Sequence, residues 1–156
     1  KTMDDRYFME LALKEAKKAY KLGEVPIGAI IVRENKVIAK AFNRREVDKS
    51  ALSHAEVLAI KEACKELGGW RLIGCTLYVT LEPCLMCAGA IINSRIERVV
   101  YAADDPKAGA VRSLYRVLED PRLNHQVEVV EGILKEESSS LLKQFFAQLR
   151  ADKKDF

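Results

Sequence analysis

The chain has 156 residues, of which 49% are hydrophobic and 31% charged, with a formal net charge of +3. This balance fits one soluble domain over residues 1–156 and speaks against a disordered chain, while the longest apolar runs are strand-sized and fall short of the roughly 20 residues a membrane-spanning helix needs. Four cysteines without a secretion signal favour metal ligation or core burial over a disulfide framework, and a cytoplasmic location is expected.

Lys1 and Thr2 stand ahead of Met3 and read as an addition upstream of a native start. Residues 4–22 place Phe8, Leu11, Ala12, Ala16 and Ala19 at helical spacing, with Gly23 as the stop. Residues 27–32 and 37–42 are apolar extended runs joined by the polar Arg33-Glu34-Asn35-Lys36, which predicts an antiparallel hairpin. After a polar loop over 43–53, the periodicity predicts a helix over 55–67 closed by Gly68-Gly69, then a buried strand over 76–81. Pro83 suits a helix entry, so 84–93 reads as a helix and 98–102 as a strand. A loop over 104–109, a short helix over 113–118 and a strand over 126–130 follow. The final helix, 135–150, turns Leu141, Leu142, Phe145, Phe146 and Leu149 inward. A hairpin followed by αβαβ units implies an α/β fold with helices on both faces of the sheet, a three-layer α/β/α arrangement.

Cys84 and Cys87 stand three apart at a helix start, so both sulfurs share one face and can grip one ion. The positive end of that helix favours the thiolate that zinc requires. His54 and Glu56 are two apart, a spacing that splays them in a regular helix. His54 is therefore expected at the non-helical entry position, with Glu56 in the first turn, so that both face one pocket. One histidine and two cysteines make three protein ligands, where a closed structural zinc site takes four. The other histidine, His125, has no second cysteine pair beside it. A zinc ion with an open position lowers the pKa of its water to about 7, and Glu56 is placed to move the protons. Taken alone, Cys-x-x-Cys also fits a redox pair or two small core residues. Cys64 and Cys75 read as small buried hydrophobes.

His54-Ala55-Glu56 followed by Pro83-Cys84-Leu85-Met86-Cys87 resembles the cytidine deaminase superfamily. Within it, the blocks Gly23 to Ala29, Thr80 to Cys84, Met86 to Ala90, Ser94-Arg95-Ile96, Asp105-Pro106-Lys107 and Phe145-Phe146 are similar to the bacterial tRNA adenosine deaminases along nearly the whole chain. The resemblance implies a cytidine-deaminase-like fold with a central mixed five-stranded sheet flanked by about five helices. It also implies hydrolytic conversion of adenosine to inosine at the wobble position of a tRNA anticodon loop, with one Zn2+ per chain, no organic cofactor, no membrane, and a homodimer. Carried over by residue, His54, Cys84 and Cys87 are the metal ligands and Glu56 the proton carrier. Asn43 contacts the nucleoside, Asp105 and Lys107 the flanking nucleotides, and Phe146 reaches the RNA side. Each has a plainer reading: a turn residue for Asn43, an ordinary turn at Asp105 to Lys107, and core packing for Phe146. Ser50-Ala51-Leu52-Ser53 and Ala102 depart from the family pattern. They leave the loop before His54 open. Arg44, Arg45, Arg112, Arg116, Arg150, Lys153 and Lys154 fit either a phosphate track or scattered surface charge.

Rival readings are a deaminase of free nucleotides or purine bases on the same scaffold, a zinc-bearing RNA-binding module without catalysis, and a redox protein.

Overall fold

The computed structural model describes residues 4–154, the Lys154 side chain excepted. The expectation about Lys1 and Thr2, and the place of the Lys154 side chain in the basic set, lie outside the described residues. Helix α1 (Asp5–Lys21) leads into the hairpin of β1 (Gly28–Arg33) and β2 (Lys36–Phe42). Then come α2 (Ala55–Leu67), β3 (Cys75–Leu81), α3 (Leu85–Asn93), β4 (Arg98–Ala103), β5 (Glu128–Glu131) and α4 (Lys135–Lys154). Glu34 and Asn35 both take positive φ in the hairpin turn, the geometry that matches the twist of the two strands.

The sheet runs β2-β1-β3-β4-β5. β1 is antiparallel to both β2 and β3, while β3, β4 and β5 are parallel, so the sheet is mixed with five strands. Strand alternation sorts its side chains into two cores. Ala29, Ile31, Leu77, Val79, Val99 and Tyr101 face α2 and α3, packing on Ala55, Ala59, Ala63, Ala88 and Ile91. Ile30, Val32, Tyr78, Val100 and Ala102 face the opposite side and meet Phe8, Met9 and Ala12 of α1. Alanines at every fourth position of α2 let that helix lie close on the sheet. On the other face a Cβ at Gly28 would fall 2.0 Å from the Ala12 carbonyl oxygen, so α1 crosses β1 where there is no side chain.

The start of α1 is tied down by charge. Arg98 Nη1 and Nη2 donate to the two Asp5 carboxylate oxygens at 2.8 and 2.6 Å, and the Tyr78 hydroxyl donates to Asp5 Oδ1 at 2.7 Å. The hydrogen bond from Arg98 holds the Asp5 carboxyl below its ordinary 3.8, against the opposing effect of burial. A depressed folded-state pKa means that this stabilisation is present above pH 3.8 and lost as pH falls through the lower folded value. Asp5→Asn is therefore expected to cost about 1 kcal/mol near neutral pH, solvent screening of this part-exposed pair included. It should also flatten the acid limb of a plot of thermal midpoint against pH.

Four α-helices are present among the described residues, against about five expected. The missing one is 113–118. Its donors are spent elsewhere: Ser113 N–H goes to Glu82, Leu114 N–H to the Gly109 carbonyl and Val117 N–H to that of Ala110. Only Val117–Glu119 completes a single 3₁₀ turn. The last helix also differs from expectation. Phe145 is buried and Leu141 and Leu142 are half-buried, but Phe146 and Leu149 are each 40% exposed rather than inward. No helix among the described residues is long and apolar enough to cross a membrane.

Candidate metal centre and its cavity

The carboxyl end of β3 leads through Glu82 and Pro83 into α3, and the start of α2 lies beside it. His54 is the N-cap of α2, with extended backbone (φ −77°, ψ 150°), and Cys84 is the N-cap of α3 (φ −80°, ψ −179°). Neither side chain caps its own helix, which leaves both turned to the space between the helix ends. Cys87 sits one turn into α3 and is fully buried. His54 Nδ1 is 3.7 Å from Cys84 Sγ and 3.6 Å from Cys87 Sγ. Zinc bonds of about 2.05 Å to nitrogen and 2.3 Å to sulfur, opened at the tetrahedral angle, put N and S about 3.6 Å apart. The two N···S separations therefore match edges of a zinc-sized tetrahedron, and the three donors, all within 4.8 Å of one another, could hold a metal ion. His125 is elsewhere, its Nε2 2.7 Å from the Ile96 carbonyl.

The proton balance of the trio suits a cation. The Cys84 thiol is pulled down to about 3, first by its hydrogen bond with Cys87 and then by His54, against burial. Cys87 is pushed up because it donates that hydrogen bond and is buried. His54 is raised by its bond with Cys84. A lowered thiol, a raised thiol and an imidazole held together are donors from which a metal ion displaces protons as it binds.

Glu56 lies in the first turn of α2 and is buried. Burial pushes its carboxyl up to about 7, offset in part by its own backbone N–H and by His54. A carboxyl poised there gives and takes protons at neutral pH.

His54, Glu56 and Cys84 lie on the wall of a cavity of about 540 Å³ that also takes in Asn43, Asp105, Lys107 and Phe146. The structure thus gathers every expected site residue around one space, with Cys87 buried beneath it. Asn43 is partly committed: its Nδ2 donates to the Val25 carbonyl at 3.2 Å and its Oδ1 accepts from Arg45 N–H at 3.3 Å. One N–H and one lone pair are left. Asp105 Oδ1 accepts from the N–H groups of Lys107 and Ala108 at 3.1 and 3.2 Å, so the stretch is a turn, and that turn lies on the cavity wall. Phe146 stands edge-on to Phe145 with ring centres 5.4 Å apart, and Phe145 packs in turn on Tyr20.

Three features of the site were not expected from sequence. Val25, Ile27, Leu81 and Leu142 supply an apolar lining. Buried Glu24 accepts from Glu46 and Val47 N–H at 3.1 and 2.7 Å and so orders the loop that follows Asn43. Buried Glu82 organises the opposite wall. Both acids stand inside blocks that resemble the tRNA adenosine deaminases, Gly23 to Ala29 and Thr80 to Cys84, but nothing in those blocks assigned either a role.

Of the two readings of the basic residues, scattered surface charge describes several of them. Arg44 pairs with Asp48, and Arg112 and Arg116 with Glu119, whereas Arg45, which pairs with Glu46 at 3.7 Å, lines the cavity. Arg150 joins Lys107, Lys143, Leu142 and Phe146 around an adjoining groove.

The family model of the MafB19-like deaminases matches residues 3–150. The chain belongs to this family. A relative in Bacillus subtilis (strain 168), the tRNA-specific adenosine deaminase, is 55% identical over 150 residues, covering 96% of this chain and 93% of its own. A solved structure from work on A-to-I editing by tRNA:A34 deaminases at the wobble position of transfer RNA superposes with a TM-score of 0.84 at 47% identity, covering 86% of this chain and 98% of that one. The guanine deaminase from Nitrosomonas europaea shares the fold, with a TM-score of 0.82 at 22% identity over 94% of this chain and 87% of that one. The cytidine-deaminase-like architecture read from the sequence is therefore the architecture of this chain and of its deaminase relatives.

Proposed function

We propose that this member of the MafB19-like deaminases converts adenosine to inosine at the wobble position of a tRNA anticodon loop, as one zinc-bearing domain that pairs into a homodimer in the cytoplasm. The observation that carries this reading is the buried Glu56 beside a three-donor group at the wall of a nucleoside-sized cavity. His54, Cys84 and Cys87 would hold the zinc, one position short of a closed site. When bound there, zinc supplies Lewis acidity that makes water a nucleophile at neutral pH.

Glu56 then does the proton work. It accepts a proton from the attacking water, passes it to N1 of the adenine, and returns one to the departing amine, so that adenosine and water give inosine and ammonia. Asn43 holds the nucleoside with its remaining donor and acceptor, and the apolar walls exclude water around the base. Phe146 offers a ring face for stacking and Lys107 a cation for phosphate.

Two observations favour RNA over a free base. Lys107, Lys143 and Arg150 line a groove that runs on from the cavity past Phe146, which suits a polyanion. The relative at 55% identity acts on tRNA, whereas the guanine deaminase shares only the fold. For the homodimer, support comes from large apolar side chains left in solvent: Leu52 and Leu85, within two residues of His54 and Cys84, and Leu114 and Tyr115 in the turns after the cavity wall.

An adenosine-bearing anticodon stem-loop is expected to be deaminated at least about 100-fold faster, as kcat/KM, than free adenosine, CMP or guanine, because remote contacts are spent on the transition state. Ammonia release on all four substrates checks this, on a sample whose sedimentation should report a dimer. Comparable turnover of any free substrate would overturn the RNA assignment.

A further inference from the structure

The cavity wall that carries Asp105 and Lys107 belongs to no helix or strand. Residues 104–116 run as turns between β4 and the 3₁₀ turn, yet the wall is ordered, and one side chain does most of the ordering. Glu82 follows β3 directly and is 2% exposed. Its Oε1 accepts from Asp105 N–H at 3.0 Å and from the Ser113 hydroxyl. Its Oε2 accepts from the N–H groups of Val111, Arg112 and Ser113 at 3.1, 2.8 and 2.9 Å. Five donors crowd the roughly four lone-pair sites of a carboxylate, which leaves no capacity for a substrate or a transferred proton. The partners are four backbone N–H groups and one hydroxyl, and each bond is strengthened by the carboxylate charge.

The fit is tight. A Cβ on Gly109 would stand 2.3 Å from Glu82 Cδ, so the loop closes over the carboxylate only because residue 109 has no side chain. The main chain reinforces the contact: Glu82 N–H donates to the Ala103 carbonyl at 2.8 Å and Ala110 N–H to that of Pro83 at 2.9 Å. Pro83 then leads to Cys84. One three-residue segment thus joins the metal centre to the loop on the cavity rim.

We propose that Glu82 is a positioning residue: its buried carboxylate gathers residues 105–113 and fixes Asp105 and Lys107 relative to Cys84, thereby setting how tightly the nucleotides around the target adenosine are held. This rests on the RNA-editing reading above. Glu82→Gln keeps the volume but turns an N–H donor toward N–H donors, so at least one wall contact breaks. The loop then drifts while zinc, Glu56 and the floor of the cavity stay in place.

The test is steady-state kinetics on an adenosine-bearing stem-loop, with zinc content and amide hydrogen exchange on the same samples. E82Q is expected to keep one zinc per chain, to exchange the amides of 105–113 faster, and to raise KM about tenfold, equivalent to roughly 1.4 kcal/mol, with kcat within a few-fold of wild type. Loss of folded protein alone would lower the apparent kcat and leave KM unchanged. S113A, which removes one donor, should shift KM the same way by less, and G109A should raise it by pushing the loop off Glu82. These two variants decide the matter if E82Q does not fold. An unchanged KM in E82Q, or in both S113A and G109A, overturns the inference while leaving the editing activity standing. A wild type that does not deaminate the stem-loop overturns the functional reading and this inference with it.

Discussion

Glu56→Ala is expected to lower kcat/KM on the stem-loop by about 10²–10⁴-fold while the purified variant keeps its zinc and its fold. Glu56 is not one of the three grouped donors, so removing it leaves the ligand set whole. Its carboxyl is buried and raised to about 7 chiefly by that burial, so the protein already bears the cost of keeping an acid there. Taking it away should leave the thermal midpoint unchanged or higher. A residue kept for stability would behave the opposite way. Ammonia release, zinc content and a melting curve on one preparation separate the two cases. Persistent activity in the alanine variant would remove Glu56 from the chemistry.

Loss of the metal is expected to have the larger effect. Chelation, or Cys87→Ala, should abolish deamination outright and lower the thermal midpoint, because anything that binds the folded state alone stabilises it. At a free zinc concentration 100 times the dissociation constant that linkage amounts to about 2.7 kcal/mol. Cys87 is the telling position, since it is fully buried below the cavity and offers little to a substrate except through the metal. Re-addition of zinc should restore the chelated wild type but not the variant. Full activity in a metal-free sample would contradict the proposed chemistry.

How far these arguments could be made before any coordinates varies by residue. The apolar extended runs over 27–32, 76–81 and 98–102, with helical segments between them, predicted a sheet with helices on its faces, and the two separate cores are its outcome. His54 at a non-helical entry position followed from a spacing conflict with Glu56, and its φ and ψ resolve that conflict as expected. The helix expected over 113–118 failed for a reason no local pattern carries, because Ser113 N–H serves an acid some 30 residues earlier in the chain and the Leu114 and Val117 N–H groups serve the Gly109 and Ala110 carbonyls. Phe146 was open to a core or a surface reading at helical spacing; only the packing of Phe145 against Tyr20 shows which ring is used up inside. Glu24 and Glu82 were missed for a common cause. A carboxylate that binds mainly backbone N–H groups has no oppositely charged partner side chain, so no pairing of charges announces it.

Zinc K-edge absorption on the purified chain tests the coordination most directly. One zinc per chain with one nitrogen at about 2.0–2.1 Å, two sulfurs at about 2.3 Å and one oxygen at about 2.0–2.2 Å is the expected result. A shell of four protein nitrogen and sulfur donors, or one lacking the second sulfur, would contradict an open site built from His54, Cys84 and Cys87.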